Sequence, residues 1–123
     1  MRRSVRPKAQ WRSGTPDGRR LYIADIRAQR TWVYDIQPDG SLAGKRLFTE
    51  MGSDGMTIDE EENVYLTGKG VTVFNVRGQQ IDFIETPGKR PANVAFGGPD
   101  RKTLFITARD SLFSVRMRVR GAY

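Results

Sequence analysis

The sequence predicts an all-β fold, a partial β-propeller of about three four-stranded antiparallel blades. A unit of short strands recurs along the chain, and Leu21, Val64 and Leu104 occupy corresponding positions 43 and 40 residues apart. A repeat of about 40–45 residues with four strands is typical of a propeller blade. Thirteen Gly and six Pro favour tight turns, and no segment has the 3.6-residue apolar spacing of an amphipathic helix.

The first unit follows an aperiodic start. Residues 1–14 show no periodicity, which predicts a disordered basic N-terminal tail. The turn sequence T-P-D-G at 15–18 precedes predicted strands over 19–25 and 31–36, and a shorter strand over 45–50 follows a second turn. No innermost strand is recognisable in this unit.

The second and third units repeat the arrangement. Their predicted strands cover 55–58, 64–68, 71–76 and 79–86, then 92–96, 103–108 and 111–117. The acidic run at 59–63 predicts a solvated hairpin turn. It does not fit an EF-hand loop, which needs glycine at its sixth position, where this chain has Val64. Four large aromatic residues of the predicted strands are expected to pack between blades: Trp32, Tyr34, Phe74 and Phe113.

The positive charge lies at the ends of the chain. The formal net charge is +7, of which residues 1–20 carry +6 and residues 116–123 carry +3, leaving −2 for the middle. A nucleic-acid-binding domain usually carries its charge on a folded face, so this distribution argues against a nucleic-acid partner and predicts solvated tails. No apolar run has the length of a membrane span and no secretory signal is present, which predicts a cytoplasmic protein without a membrane partner.

The residue types restrict the chemistry. The chain has no Cys and no His, which excludes disulfides, thiolate or imidazole metal ligands, and a histidine general base. Zinc sites usually depend on those two residue types. A metal bound by oxygen ligands is therefore the option that the composition favours.

Three stretches carry a resemblance to a known family. They are T-P-D-G-R-R-L-Y-I-A-D at 15–25, S-D-G-M-T-I-D-E-E-E-N-V-Y at 53–65 and R-P-A-N-V-A-F-G-G-P-D-R-K-T-L-F-I-T-A at 90–108. Over residues 15–118 the chain resembles the SMP-30/gluconolactonase/LRE-like region family, which includes senescence marker protein (regucalcin) and gluconolactonase. The resemblance implies a six-bladed propeller, to whose C-terminal half this segment is similar, with residues 119–123 as a C-terminal tail.

The resemblance also implies an activity, the divalent-metal-dependent hydrolysis of sugar lactones at one cation on the propeller axis. Calcium is the expected ion, and zinc, magnesium and manganese are compatible with the family. Asp54, the aspartate of the D-G-M phrase, matches a family metal ligand and is the candidate catalytic residue that activates water. Hard cations prefer such oxygen ligands and lower the pKa of bound water. Asn93 and Asp25 are candidate pocket-lining residues.

Two other ligands of that family have no counterpart in this chain. One is a glutamate, and the other is an asparagine at a position where the chain reads W-R-S-G. We therefore expect an incompletely ligated cation and impaired activity, and whether the chain is an enzyme stays open. The alternative is a non-catalytic propeller fragment, either an interaction domain or a gene remnant, that self-associates through open sheet edges.

Overall fold

The computed structural model describes residues 10–123, and this part of the chain contains eleven β-strands and no α-helix. The strands are short because Gly- and Pro-rich turns interrupt the chain at regular intervals. Their bounds are β1 Gln10–Gly14, β2 Arg20–Asp25, β3 Arg30–Ile36, β4 Leu42–Thr49, β5 Met56–Ile58, β6 Val64–Thr67, β7 Val71–Phe74, β8 Gln80–Ile84, β9 Asn93–Gly97, β10 Thr103–Ala108 and β11 Ser111–Arg116.

The strands form three antiparallel sheets in which neighbours in sequence are neighbours in space. Blade 1 has the order β1-β2-β3-β4, blade 2 has β5-β6-β7-β8, and blade 3 has β9-β10-β11. The first strand of blade 2, β5, contacts the first strands of both other blades, β1 and β9. The three first strands are therefore the inner strands of blades that radiate from a common centre, as the repeat predicts.

One strand prediction is wrong. Residues 10–14 were assigned to the aperiodic start, yet they form the inner strand of blade 1 and pair with β2 from Gln10 opposite Asp25 to Gly14 opposite Leu21. The sequence QWRSG alone does not indicate a strand; it becomes one because the edge of β2 supplies hydrogen-bond partners. Blade 3 has three strands within the described residues, which correspond to those predicted over 92–96, 103–108 and 111–117. The rest of the predicted N-terminal tail, residues 1–9, lies outside the described residues.

Blade 2 is buried on both faces. Successive side chains of a strand point to opposite faces, and all four residues of β6 are buried. Val64 and Leu66 pack into a core shared with blade 1, whereas Tyr65 packs into a second core shared with blade 3. The two hydrophobic cores of the described structure are thus the two interfaces between blades.

The aromatic residues confirm part of the packing prediction. Phe74 of blade 2 meets Phe48 of blade 1 edge to face, with ring centroids 6.1 Å apart, and Phe113 packs against the core between blades 2 and 3. Trp32 is instead covered from within its own blade by Lys45, whose Nζ lies 4.5 Å from the ring centroid. Tyr34 lies half-buried on the same face as Trp32.

The C-terminal segment, residues 117–123, is not the solvated tail that the charge pattern predicted. Its backbone N–H groups bind across the blades: Gly121 donates to Arg101 at 2.8 Å, and Ala122 donates to Ile58 at 3.0 Å. The hydroxyl of Tyr123 donates to the carbonyl of Gly14 at the end of β1. The segment therefore connects all three blades where the inner strands end, because these strands leave backbone groups there for it to pair with.

Among the described residues, no helix is long and apolar enough to cross a membrane. The cytoplasmic location stays a prediction.

Candidate functional site

The sequence-predicted site residues lie at the end of the blades where the inner strands begin. Asp54 occupies a bend two residues before β5, and its side chain is exposed. Asn93 is the first residue of β9 and is also exposed. Asp25 ends β2 at the level of Gln10, the first residue of β1. All three blades thus contribute one of the predicted residues to the same end of the molecule.

The loop that carries Asp54 is held tightly between its neighbours. A Cβ atom on Gly52 would lie 2.4 Å from the carbonyl oxygen of Asp25, and one on Gly55 would lie 2.4 Å from the Oδ1 of Asn93. Real Cβ atoms do not approach other atoms this closely, so only glycine fits at these two positions. The loop 52–55 therefore contacts blade 1 through Gly52 and blade 3 through Gly55, so Asp54 lies in a loop that spans the two neighbouring blades.

Asp25 contributes differently from the other two residues. Its Oδ1 accepts hydrogen bonds from the backbone N–H groups of Arg27 at 3.0 Å and Ala28 at 3.1 Å. This is the geometry of an aspartate that stabilises its own turn. Asn93 Oδ1 accepts a hydrogen bond from the adjacent N–H of Val94 at 2.8 Å. A carbonyl oxygen has two lone pairs, so Asn93 Oδ1 retains one lone pair that a hydrogen-bond donor or a cation could use.

Two hydroxyl groups beneath Asp54 were not singled out in the sequence. Ser53 is fully buried and Thr67 is 1% exposed, and their oxygens lie 3.0 Å apart. Thr67 ends the otherwise apolar β6. A threonine inside a completely buried strand is a signal of an internal hydrogen bond, although its partner, fourteen residues earlier, is not apparent from spacing.

A second polar cluster lies at the opposite end of β5 and corrects the prediction of a solvated acidic turn. Glu60 and Glu61 are exposed, but Asp59 is fully buried. Its carboxylate accepts hydrogen bonds from four donors: Glu61 N at 2.9 Å, Asn63 N at 3.0 Å, Asn63 Nδ2 at 2.9 Å and the Tyr65 hydroxyl at 2.8 Å. Asp59 is a structural residue, because every donor comes from its own turn and the next strand.

Burial and this hydrogen bond determine the protonation of Tyr65. Desolvation of the ring raises the pKa of Tyr65 well above its usual range, and the hydrogen bond to Asp59 raises this pKa further. The phenol therefore remains a hydrogen-bond donor to Asp59 throughout the physiological pH range.

The possible metal ligands at the Asp54 end are oxygen atoms, which suit a hard cation, but they are few. Carboxylate and amide oxygens are ligands that Ca²⁺ and Mg²⁺ prefer, and Asp54 and Asn93 supply one of each. In the described part of the chain, no three or more His, Cys, Asp or Glu side chains gather into a group that could hold a metal ion. Calcium takes about 6–8 oxygen ligands, so most ligands at this site would come from water or substrate.

One small cavity borders the predicted site. A cavity of about 80 Å³ lies beside Asn93 and is lined also by Phe105 and Thr107 of blade 3. A larger cavity of about 420 Å³ lies elsewhere, between β8 and the residues that follow β11. It lies next to β11, where blade 3 has no fourth strand within residues 10–123. None of the three predicted site residues lines it, so we do not regard it as the site of chemistry.

Three adjacent antiparallel blades around a common centre, with an exposed acidic loop where the inner strands begin, define part of a β-propeller. The SMP-30/Gluconolactonase/LRE-like region profile matches residues 13–110. The chain belongs to this family, which confirms the resemblance of the three sequence stretches.

Individual relatives agree with this assignment. Diisopropyl-fluorophosphatase of Loligo vulgaris is 31% identical over 107 residues, 77% of this chain and 34% of that protein. The gluconolactonase of Zymomonas mobilis is 27% identical over 122 residues, 87% of this chain and 34% of that protein. The chain thus spans about a third of the length of these two relatives.

A solved structure shows the same fold. The crystal structure of a calcium-binding protein, regucalcin, from Agrobacterium tumefaciens superposes with a TM-score of 0.78 at 24% identity, covering 89% of this chain and 46% of that chain. The arrangement of the three blades is therefore that of consecutive blades in a propeller of this family.

Proposed function

We propose that this chain carries part of a lactonase site in which Asp54 is both a ligand of a divalent cation, calcium in the first place, and the base that activates water. The substrate class is a sugar lactone. The observation that supports the proposal is the exposed Asp54 at the start of an inner strand, in a loop whose Gly55 packs against Asn93. The relatives of the chain include a gluconolactonase.

The reaction needs a base, a group that orients the substrate and a cation that polarises the carbonyl. The water oxygen attacks the lactone carbonyl carbon while Asp54 accepts the water proton. The ring C–O bond then breaks, and the ring oxygen leaves as a hydroxyl group after it receives that proton, so that the product is a hydroxy acid. The Asn93 side chain orients the substrate or supplies a second oxygen ligand. A bound divalent cation would polarise the carbonyl and lower the pKa of water.

The proposal predicts weak turnover. Two oxygen ligands hold a cation less firmly than a full set, so we expect activity only at high concentrations of added metal. The test measures glucono-δ-lactone hydrolysis by pH-stat with Ca²⁺, Mn²⁺, Mg²⁺ or Zn²⁺, with the spontaneous rate subtracted. Asp54→Asn removes the base, and we expect it to lower the metal-dependent rate by about 10²-fold or more.

The matched control is Asp39→Asn. Asp39 is an exposed aspartate that caps Ser41 in the turn between β3 and β4, at the end of blade 1 opposite to Asp25. This variant is expected to hydrolyse the lactone at the rate of the unmodified chain. Turnover in none of the four ions, or equal turnover with and without the Asp54 carboxylate, would contradict the proposed function.

A specific observation also favours a second candidate, a non-catalytic interaction module that associates with another copy of itself. The outward faces of the end blades carry exposed leucines: Leu47 of blade 1 is 43% exposed and Leu112 of blade 3 is 66% exposed. Such exposed apolar residues on the outer strands β4 and β11 suit a protein contact, and within residues 10–123 β11 pairs only with β10.

Light scattering over a concentration series tests this second candidate. We expect association that Leu112→Asp abolishes and Val76→Asp preserves, because Val76 is similarly exposed, at 49%, but lies in the turn after β7 of the central blade. A monomer at every concentration would rule the self-association out.

A further inference from the structure

The hydroxyl pair beneath Asp54 is bound to both ends of the loop that carries it. Thr67 N donates to Ser53 Oγ at 2.8 Å, and Gly55 N donates to Ser53 Oγ at 3.2 Å and to Thr67 Oγ1 at 3.1 Å. Ser53 Oγ in turn donates to the carbonyl of Gly55. Asp54 is the one residue between these attachment points, so the pair fixes the backbone on either side of it.

The pair also connects the loop to the most buried strand. Thr67 is the last residue of β6, in which every residue is buried, and its Oγ1 lies 3.0 Å from Ser53 Oγ. A buried hydrogen-bond network of this kind is rigid when every member is satisfied. Ser53 uses its single donor and both of its acceptor positions here, so a side chain without a hydroxyl cannot replace it.

We propose that Ser53 and Thr67 are positioning residues, which hold the Asp54 carboxylate at the orientation required for binding a divalent cation. This inference rests on the proposed function, because it concerns the same site. The loop 52–55 has few other side-chain attachments: Gly52 and Gly55 have no side chains, and Asp54 itself projects into solvent. Without the hydroxyl pair, the loop keeps its glycine contacts with blades 1 and 3 but loses its fixed geometry.

The test compares four variants of the full chain. Ser53→Ala and Thr67→Val remove one hydroxyl each, and Thr67→Ser keeps the hydroxyl while removing a methyl group. Thr72→Val is the matched control, because Thr72 is buried in β7 and its hydroxyl makes no hydrogen bond to the described residues. Thermal unfolding of each variant first identifies any that fail to fold.

Two measurements then decide the inference. The first is the affinity for Mn²⁺ alone, measured by paramagnetic relaxation. We expect Ser53→Ala and Thr67→Val to weaken this affinity by about 10-fold or more, as is typical when a group that orients a metal ligand is lost. Thr67→Ser and Thr72→Val should bind Mn²⁺ as the unmodified chain does.

The second measurement is independent of any metal. The NMR order parameter of the Asp54 amide should fall from about 0.85 to below about 0.6 in Ser53→Ala and Thr67→Val, and the Gly55 amide should exchange faster by 10-fold or more. An unmodified chain that binds no Mn²⁺ refutes the lactonase proposal and the metal-binding part of this inference. The order parameters then decide whether Ser53 and Thr67 fix the geometry of the Asp54 loop. Asp54 and Gly55 as rigid in Ser53→Ala as in Thr72→Val would overturn this inference.

Discussion

Replacement of Tyr65 by phenylalanine isolates a single buried hydrogen bond. The Tyr65 side chain is 1% exposed and packs against Phe96 with ring centroids 5.3 Å apart. Tyr65→Phe preserves this packing and removes only the hydroxyl that donates to Asp59 at 2.8 Å. Asp59 then retains three of its four donors, so the variant is expected to fold.

The expected loss follows from the partner's charge. A hydrogen bond to a charged group contributes about 1.5–3 kcal/mol, and we expect Tyr65→Phe to lower the free energy of unfolding by about 2 kcal/mol. For a chain of this length, that corresponds to a decrease of roughly 6–10 °C in Tm. Urea titration and thermal unfolding at pH 7 measure both quantities.

The pH dependence gives an independent check. Burial raises the pKa of Tyr65 in the folded protein, whereas an unfolded chain ionises its tyrosines near about pH 10. The stability linked to Tyr65 is therefore complete below about pH 10 and is lost progressively as the pH rises above it. Tyr65→Phe should remove this alkaline decrease while other tyrosines still contribute theirs.

The matched control is Tyr34→Phe. Tyr34 is half-buried, and its hydroxyl makes no hydrogen bond within residues 10–123, so we expect a change of less than about 0.5 kcal/mol. If Tyr65→Phe were as stable as Tyr34→Phe at pH 7 and kept the alkaline decrease, the hydrogen bond to Asp59 would not contribute to stability as argued.

Two further predictions concern the C-terminal segment and the acid range. Gly121→Ala places a Cβ atom 2.4 Å from the Cβ of Phe96, and we expect it to lower the free energy of unfolding by about 1–3 kcal/mol in urea titration; Gly14→Ala, whose Cβ meets nothing closer than 3.8 Å, is the control, and equal stability of the two would contradict the packing. The guanidinium of Arg116 is the main reason that the pKa of Asp100 is lowered. Arg116→Gln should raise the pKa of Asp100 towards its usual value in an NMR carboxyl titration. The stability that the ionised Asp100 contributes in the unmodified chain is present above about pH 4 and is lost as the pH falls. An unchanged Asp100 titration in Arg116→Gln would refute the pairing.

The repeat and the turns could be predicted because they depend on local sequence. The strand over 103–108 has the bounds that were predicted, since alternating apolar residues there are bounded by turn sequences. The position of Asp54 just before an inner strand follows from the same repeat. These features need only the pleat of a strand and the conformational preferences of Gly and Pro.

The features that could not be predicted depend on partners distant in sequence. β1 forms because β2 offers it a free edge, not because QWRSG favours a strand. Asp59 looks like any member of an acidic run, and only the position of Tyr65 on the next strand makes its burial favourable. Ser53 is adjacent to Asp54, the predicted ligand, but its role depends on Thr67, which lies fourteen residues further along the chain.

The double-sided burial of blade 2 has a consequence for the order in which the molecule opens. Local unfolding begins where few apolar contacts hold a segment, and blades 1 and 3 each share only one of the two described cores. Amide exchange should therefore be slowest along β6 and β7. Asp54 is attached to the part of the molecule that opens last, so its surroundings would persist while the outer sheets fluctuate.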